Sequence, residues 1–430
     1  MSLLPNLIFA IILFSGLAFF VRNISKLKRN IYLGKDVDTS GDTNLRWINM
    51  VKISLGQGKM VRRPIAGILH IIVYLGFVII NIEVLEIVID GLFGTHRIFS
   101  NIGPLYGFLI GTFEVLAALV FVAIVIFWFR RNIIKIQRFV KSEMKGWPKL
   151  DGNLILYFEI ILMALFITMN ATDTEFQLNN SGNIISQFFA PLFEGLNLNL
   201  IERTAWWMHI IGIIIFLNYL YYSKHLHILL AFPNTYYGSV KPNGQLDNIK
   251  AVTNEVKLMM DPDADPYAAV DEDTETQDKF GASDVQDLNW VHLLNAYTCT
   301  ECGRCTSECP ANQTGKKLSP RKIMMDTRDR LVEVGNNIDT NNGEFKADGK
   351  QLLGDYITNE ELWACTSCNA CVEACPISID PLSIILEMRR YLVMEQSAAP
   401  VELNNMMSNI ENNGAPWPYN QMDRLNWKNE

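Results

Sequence analysis

The sequence predicts an all-α protein in two parts, a bundle of five transmembrane helices followed by a smaller helical domain that carries every cysteine. Three observations support this fold class. Five apolar stretches are long enough to span a bilayer as helices. The cysteine-rich half lacks the alternation of apolar and polar residues that is typical of strands. Hydrophobic residues make up 49% of the 430 positions, which is high for a soluble protein. Separately, the net charge of −8 argues against nucleic acid as a partner.

The first part, residues 1–230, is expected to form the transmembrane bundle. Its apolar stretches lie near 3–21, 65–88, 104–128, 153–170 and 204–222. The first is predicted to be a retained helix, because no basic residue precedes it and no small-residue cleavage site is present. Lysine and arginine are concentrated after the first and third helices, whereas the opposite loops carry only Arg97 and Arg203. The positive-inside rule therefore predicts an outer N-terminus and a cytoplasmic second half.

The second part contains two copies of one cysteine pattern, C-x2-C-x2-C-x3-C-P, with no cysteine left over. The copies are Cys299, Cys302, Cys305 and Cys309 before Pro310, and Cys365, Cys368, Cys371 and Cys375 before Pro376. This is the bacterial ferredoxin spacing, in which the fourth cysteine of each run ligates the other of two [4Fe–4S] clusters. We therefore assign two ligand sets: cluster 1 to Cys299, Cys302, Cys305 and Cys375, and cluster 2 to Cys365, Cys368, Cys371 and Cys309.

Structural zinc and a disulfide framework are the alternatives for these cysteines. Zinc sites use paired C-x2-C knuckles and do not need the third and fourth cysteine of each run. Disulfides between residues three apart would close strained short loops, and disulfide frameworks are typical of small secreted domains. Iron–sulfur thiolates need a reducing compartment, which places this domain in the cytoplasm independently of the charge argument.

The second part divides into an acidic cytoplasmic linker over 231–284, a cluster domain over 285–395 and a tail over 396–430. The acidic run of the linker is expected to be solvated, with steering of a basic partner as the alternative. The tail is too polar to form a core of its own. Its aromatic residues, which include Trp417, Tyr419 and Trp427, predict docking on another subunit, and a flexible terminus is the alternative.

Helices are predicted to separate the two cysteine runs, which indicates a helical ferredoxin fold rather than the compact β-sheet ferredoxin. One helix should begin at Pro320, with Ser319 as its cap, and end near Val334 before a Gly- and Asn-rich loop. Further helices should begin at Asn359 and Pro381.

Several histidines lie in or beside the predicted membrane helices. His70, near the start of the second helix, falls at the same depth as His225 and His227 after the fifth. Two neutral imidazoles on different helices can hold a haem b between them, with Arg62 and Arg63 near its propionates. The alternative is that His225 and His227 are ordinary juxtamembrane residues and that His70 donates a hydrogen bond between helices.

Ionisable residues inside a membrane are costly, so they are candidates for quinone and proton chemistry. The candidates in this sequence are His209, Glu83, Glu86, Glu114 and Glu159. The alternative is that the glutamates are protonated, or reach the membrane interface, and only fill space between helices.

Several segments of the sequence resemble a family of membrane iron–sulfur oxidoreductases. They are residues 55–60, 206–209, 222–227, 297–305, 309–311 and 314–320. Members of this family join a five-helix domain, similar to the cytochrome b component of respiratory nitrate reductase, to a heterodisulfide-reductase-C-like ferredoxin domain with two clusters. The resemblance covers roughly residues 40–430.

The resemblance implies electron transfer to menaquinone in the bacterial inner membrane, with one inner haem b held by His70 and His227. An outer haem would need a second histidine near Ile80, facing His209, and the sequence has none there. Fused family members continue into cysteine-rich CCG domains, which are heterodisulfide-reductase-B-like, and are implicated in electron exchange with electron-transfer flavoprotein. Because this sequence stops where those domains would begin, a separate CCG-domain subunit is expected to dock on the tail.

The leading hypothesis is therefore an electron-transfer subunit of a quinone oxidoreductase in a respiratory chain, an enzyme that requires a partner subunit. The alternative hypothesis is a membrane-anchored ferredoxin scaffold, which exchanges electrons between soluble partners without quinone chemistry.

Overall fold

The computed structural model describes residues 3–179, 182–242, 244–262 and 279–429. These residues form helices and no strand, and their extended pairings are the isolated bridges Lys35–Asn289 and Leu353–Ile357. The all-α prediction is therefore confirmed. The acidic residues predicted for the centre of the linker, from Asp263 to Glu275, lie outside the described residues.

The first part of the chain and the predicted linker form helices α1 to α9. They are α1 (Leu4–Ile31), α2 (Thr43–Met50), α3 (Pro64–Phe93), α4 (Pro104–Asn132), α5 (Trp147–Thr172), α6 (Thr174–Asn179), α7 (Leu198–Tyr219), α8 (His227–Tyr237) and α9 (Lys250–Met260). Five of these, α1, α3, α4, α5 and α7, are long and apolar enough to cross a membrane, as predicted. The helices α3, α4 and α5 each carry a proline in the first turn, where a missing N–H breaks no helical hydrogen bond.

The second part is a compact group of shorter helices. They are α10 (Trp290–Thr298), α11 (Arg304–Glu308), α12 (Pro310–Gln313), α13 (Pro320–Thr340), α14 (Asn359–Trp363), α15 (Ala370–Ala374) and α16 (Pro381–Met394), with α17 (Val401–Asn413) in the tail. The predicted starts of α13, α14 and α16 are confirmed. Each has a side-chain cap for its first free N–H groups, from Ser319, Thr358 and Asp380 respectively.

Where α1 and α13 contact each other, both helices extend beyond their predicted ends. Helix α1 continues well past residue 21, so that its basic last turns are helix and not loop. Helix α13 continues past Val334, and Gly335 belongs to it rather than to the predicted loop. The reason is close packing, because a Cβ atom on Gly335 would lie 2.3 Å from Nδ2 of Asn30 in α1. That amide donates a hydrogen bond of 3.0 Å to the Tyr297 hydroxyl, which ties α1 to the cluster domain.

One hydrophobic core runs through both parts of the molecule. It joins Leu27 of α1 and Phe216 of α7 to Leu293 of α10 and Ile384 of α16. A second core lies at the other end of the bundle, around Phe113 and its neighbours. We call the end of the bundle that contacts the cluster domain the proximal end, and the opposite end the distal end.

The segment predicted as a linker begins with a packed helix. In α8, Ala231, Asn234 and Thr235 are buried, and Asn234 Nδ2 donates a hydrogen bond of 2.7 Å to the Ile377 carbonyl. Helix α9 also falls within the predicted linker. Helix α17 of the tail has no buried residue, in keeping with the prediction that the tail forms no core.

Candidate redox centre

The two cysteine runs repeat one backbone conformation. Glu301 (φ 54°) and Gly303 (φ 71°) are left-handed in the first run, and Ser367 (φ 55°) and Asn369 (φ 58°) are left-handed at the equivalent positions of the second. Each pair curls the chain between the first three cysteines and leads into a short helix, α11 or α15. These two helices pack against each other, which brings the fourth cysteine of each run towards the other run.

A cavity in the cluster domain gathers the cysteines that were assigned to cluster 1. Its lining includes Cys299, Cys302, Cys305 and Cys375, with Cys371 at its border with the second set. The thiols of the second set interact electrostatically with one another: Cys371 with Cys365 and Cys309, and Cys365 with Cys368. Cys371 also interacts with Cys305 of the first set, so the thiols of both runs lie close together and the division into two sets of four stays a prediction.

The donor set fits two cubane clusters better than the alternatives. All eight cysteines are free, so the disulfide framework is wrong for this chain. Among the described residues, no three His, Cys, Asp or Glu side chains converge closely enough to hold one metal ion, as a zinc site with bonds of about 2.3 Å would require. Backbone N–H groups of Ser367 and Ile379 donate to the sulfurs of Cys365 at 3.4 Å and Cys375 at 3.3 Å, as is usual around iron–sulfur clusters.

Burial also makes these thiols poor candidates for free thiolates. It raises the pKa of the Cys299 and Cys371 thiols to about 12, and that of Cys375 to about 11. A bare thiolate is therefore disfavoured at neutral pH. Bound iron would provide the positive charge that compensates for the lost hydration and would deprotonate the thiols.

Glu301 of the first cysteine run connects the cluster domain to the membrane part. Its side chain is 2% exposed and accepts hydrogen bonds from Lys224, just after α7, and from Arg328 of α13, the latter at 2.7 Å. Burial alone would raise the pKa of Glu301, but the two cations outweigh it and lower the pKa. The carboxylate therefore stays ionised and holds the first run against the proximal end.

The predicted haem histidines meet at the proximal end. The ring centroids of His70 and His227 are 6.4 Å apart, and His225 lies 5.3 Å from His227. Two imidazoles bound to opposite faces of one haem iron, with metal–nitrogen bonds of about 2 Å, place their ring centres roughly 6 Å apart. The spacing of His70 and His227 fits this arrangement.

The hydrogen bonding of the two rings is also compatible with metal binding. His227 Nδ1 lies 3.1 Å from the Lys224 carbonyl, a contact that fixes the tautomer and leaves Nε2 available. Burial lowers the pKa of His227 and of His225, so both rings are neutral at pH 7. His70 Nδ1 is buried without a hydrogen-bond partner, which is costly for a residue with a purely structural role.

Arg62 and Arg63, predicted to lie near haem propionates, have carboxylate partners in the cluster domain. Arg62 pairs with Glu373 at 2.7 Å and Arg63 with Glu308 at 2.8 Å. Glu159 is the intramembrane carboxylate closest to the histidines, with its Oε1 3.5 Å from His225 Nε2.

The remaining quinone candidates lie towards the distal end, in different surroundings. Glu86 accepts hydrogen bonds from the Phe99 N–H and the Tyr106 hydroxyl. Glu114 is fully buried and accepts from the Asn170 amide at 3.0 Å and from two backbone N–H groups. Glu83 and His209 are also buried, but Glu83 Oε2 and His209 Nδ1 have no hydrogen-bond partner.

Sequence reasoning missed the cations that contact the first cysteine run and the centre of the distal polar network. Arg138, Arg304 and Lys224 were counted only as basic residues, or not considered. Arg97 was used only for membrane orientation, although its guanidinium joins Asp173 and Asn170 at the end of α5. The sequence could have indicated this network, because Arg97, Asn170 and Asp173 all lie at the same end of their predicted membrane helices.

Comparison with known proteins agrees with this architecture. A 4Fe-4S dicluster domain family matches residues 298–379. The chain is 28% identical over 417 residues to a probable iron–sulfur-binding oxidoreductase, FadF, of Bacillus subtilis. This alignment covers 89% of this chain and 54% of the relative. It is also 26% identical over 413 residues to an EtfAB:quinone oxidoreductase of Syntrophomonas wolfei. That alignment covers 88% of this chain and 53% of the relative. Over most of its length the chain is therefore similar to iron–sulfur oxidoreductases.

A shorter match links the chain to a probable membrane-anchored ferredoxin of Chromohalobacter salexigens. The two are 32% identical over 162 residues, which is 34% of this chain and 24% of the relative. The chain spans about half the length of the two oxidoreductases that it matches. No solved structure matches it. An iron–sulfur electron-transfer subunit of an oxidoreductase is the function that these relatives support.

Proposed function

We propose that the chain is the electron-transfer subunit of a membrane quinone oxidoreductase, which relays electrons between a soluble donor and menaquinone. Cluster 1 would be held by Cys299, Cys302, Cys305 and Cys375, cluster 2 by Cys365, Cys368, Cys371 and Cys309, and one haem b by His70 and His227. When bound, these groups supply one-electron transfer. The observation that carries the proposal is the direct docking of the first cysteine run on the end of the bundle where the paired histidines lie.

The docking contact reaches the turn that leads into the histidine helix. The Arg304 guanidinium, adjacent to Cys305, donates hydrogen bonds to the carbonyls of Lys59 at 3.1 Å and Met60 at 3.2 Å. Helix α3 begins four residues after Met60 and carries His70 in its second turn. Because α11 and the start of α3 are joined in this way, the redox groups of the two parts have a fixed separation.

Glu159 is the proposed proton carrier for a quinone at the proximal end, because it is the candidate that lies beside the histidines. With His225 it can hold and pass one proton near the bilayer interface. His209 and Glu83 remain distal candidates for binding a quinone head group. Glu86 and Glu114 have their hydrogen-bonding capacity occupied, which favours a structural role for both.

We also propose that the chain lies in the bacterial inner membrane, with the N-terminus outside and the cluster domain in the cytoplasm. The basic residues near the proximal end support this orientation. The proposed partners are a CCG-domain subunit, docked on the tail, and electron-transfer flavoprotein. The name of the Syntrophomonas relative supports the flavoprotein, and the exposure of Trp417 and Trp427 supports docking on the tail.

The test uses the full-length protein, reduced anaerobically in detergent and mixed with a menaquinone analogue. Reoxidation of the clusters is followed by the loss of their electron paramagnetic resonance (EPR) signal. We expect reoxidation that slows by about 100-fold or more in Glu159→Gln, the loss typical of a missing proton carrier. Glu202→Gln, at the distal start of α7, is the control and should react as the unaltered protein does. Clusters that no quinone oxidises would refute the quinone role.

The membrane-anchored ferredoxin scaffold remains a second candidate, favoured by the match to a protein named for that role. It predicts electron exchange between two soluble proteins at a rate unaffected by quinone. It also predicts a reduced optical spectrum that lacks the α band of a b-type haem.

A further inference from the structure

The surroundings of the two assigned clusters differ in charge. Two arginines interact electrostatically with Cys302 of cluster 1: Arg138, from the loop between α4 and α5, and Arg304. Lys59, from the turn before α3, interacts with Cys375 of the same cluster. Around cluster 2, Arg389 interacts with Cys365, whereas the carboxylate of Asp380 acts on Cys371. The carboxylate of Glu301 also acts on Cys299 of cluster 1, but it is paired with Lys224 and Arg328. Three cations against this one paired carboxylate leave cluster 1 with an excess of positive neighbours, and two of the three cations belong to the membrane part.

Arg138 is positioned for this role by contacts on both sides. Its backbone carbonyl accepts a hydrogen bond of 2.6 Å from Arg321, a fully buried side chain that lines the cluster 1 cavity. Its side chain lies over the loop between Cys302 and Cys305, since a Cβ atom on Gly303 would be 3.4 Å from the Arg138 Cβ. The absence of a side chain at Gly303 makes room for the Arg321 guanidinium, whose Nη1 would lie 2.6 Å from such a Cβ atom.

The Arg138 guanidinium is not neutralised by a protein group. Its Nε is buried without a hydrogen-bond partner. Within the described residues it forms no ion pair with a carboxylate, and its nearest aromatic neighbour is the Phe139 ring, 4.9 Å away. The Arg138 side chain is partly buried, and a partly buried cation without a counter-charge is costly, so a neighbouring anion offsets that cost. A cluster held by four thiolates is such an anion, and it becomes more negative on reduction.

We propose that Arg138 and Lys59 of the membrane part raise the reduction potential of cluster 1, so that cluster 1 is more readily reduced than cluster 2. The added electron is stabilised by nearby positive charge, and the charges act through a poorly hydrated interior. Electrons shared between the clusters therefore reside mainly on the one next to the bundle. The potential of cluster 1 also depends on docking, because two of its tuning residues are supplied by the other part of the molecule.

This inference rests on the cluster assignment of the proposed function, but not on quinone chemistry. The test is a potentiometric titration of the full-length protein, followed by the EPR signals of the two reduced clusters, with iron and sulfide measured for each variant. No quinone is present, so failure of the quinone reaction and failure of this inference give different results. A protein without iron and sulfide would refute both.

Arg138→Gln should lower the higher of the two reduction potentials by about 59 mV. For one electron this is an approximately tenfold change in the equilibrium constant for electron transfer between the two clusters. Arg138→Lys retains the charge and should restore most of the shift. Arg389→Gln, next to cluster 2, is the matched control and should lower the other potential. If Arg138→Gln moves neither potential, or moves the same one as Arg389→Gln, the inference is wrong.

Lys59→Gln is a second, independent test of the proposal. It is needed if Arg138→Gln binds less iron than the unaltered protein and its potentials cannot be compared. Lys59 reaches the same cluster through Cys375 from a different loop. Its replacement should lower the higher potential in the same direction as the arginine variant. A titration in which Lys59→Gln lowers the lower potential instead would overturn the assignment of both residues to cluster 1.

Discussion

The proximal and distal ends of the helical bundle differ in how they satisfy their buried polar groups. At the distal end most partners come from within the bundle, although Glu83 Oε2 and His209 Nδ1 have none. Arg97 donates hydrogen bonds to Asp173 at 2.7 Å, Asn170 at 2.9 Å and the Tyr106 hydroxyl at 3.3 Å. At the proximal end, Glu301 and its partners join two parts of the molecule, and His70 Nδ1 has no partner.

The difference separates residues that hold the fold from residues that are available for chemistry. A closed network of buried hydrogen bonds stabilises helix packing but leaves few atoms free to bind anything else. An unpartnered buried imidazole beside a second one is costly unless a ligand satisfies it. The proximal end therefore has the properties of a binding site, and most of the distal network those of a structural clamp.

The largest expected effect tests whether the histidines of the two ends are equivalent. His70→Ala should abolish the α band of a b-type haem in the reduced optical spectrum, because it removes one of the two proposed haem ligands. His209→Ala is the matched variant at a distal position and should leave the band and the haem content unchanged. A band that survives in His70→Ala, or disappears in His209→Ala, would reverse the comparison.

The next effect concerns the charges that join the two parts at the proximal end. Glu301→Gln keeps the side-chain shape but leaves Lys224 and Arg328 without their shared anion, which should lower the free energy of unfolding by about 3 kcal/mol. Thermal loss of cluster absorption measures this change. Asp339→Asn removes the carboxylate that Lys26 and Arg29 share, where the three side chains are 28–34% exposed, and should cost at most about 1 kcal/mol. Equal losses in the two variants would contradict the importance of burial here.

The smallest effect is a pH dependence at the distal end. His96 Nε2 lies 3.3 Å from Asp173 Oδ2, and this hydrogen bond raises the pKa of His96 above its usual 6.5. The protonated ring is favoured in the folded state, so its stabilisation is complete below pH 6.5 and lost as pH rises through the raised pKa. Because the side chain is 43% exposed, solvent screening limits the effect to about 1 kcal/mol or less.

Melting temperatures of the unaltered protein and of His96→Gln, measured from pH 5.5 to pH 8.5, isolate this contribution. The two curves should converge at high pH and separate at low pH. A constant difference across the range would show that His96 acts through packing rather than through its charge.

The sequence predicted best those features that depend on local pattern. The five membrane helices and the starts of α13, α14 and α16 follow from hydropathy and caps, which act within a few residues. Features that depend on distant partners were missed. Gly335 has the composition of a loop residue, and its place inside α13 is understandable only with Asn30 beside it.

The same reasoning applies to the candidate redox centre. The depths of His70 and His227 could be compared along the sequence because the membrane fixes a common axis. The position of Arg138 over the Cys302 loop could not, since 164 residues separate them and no pattern links the two. In the sequence Glu301 is only a residue between two cysteines. Its ion-pair partners could not be predicted, because Lys224 belongs to the membrane part and Arg328 to the cluster domain.

The bond between Asn30 and Tyr297 links residues that are 267 positions apart in the chain. At a synthesis rate of 5–20 residues per second, the ribosome makes the second partner about 15–50 seconds after the first. The last turns of the first helix therefore wait for their partner throughout that interval. All eight cysteines follow Tyr297 in the chain, so the two parts can close on each other only as the metal-binding segment itself is being made.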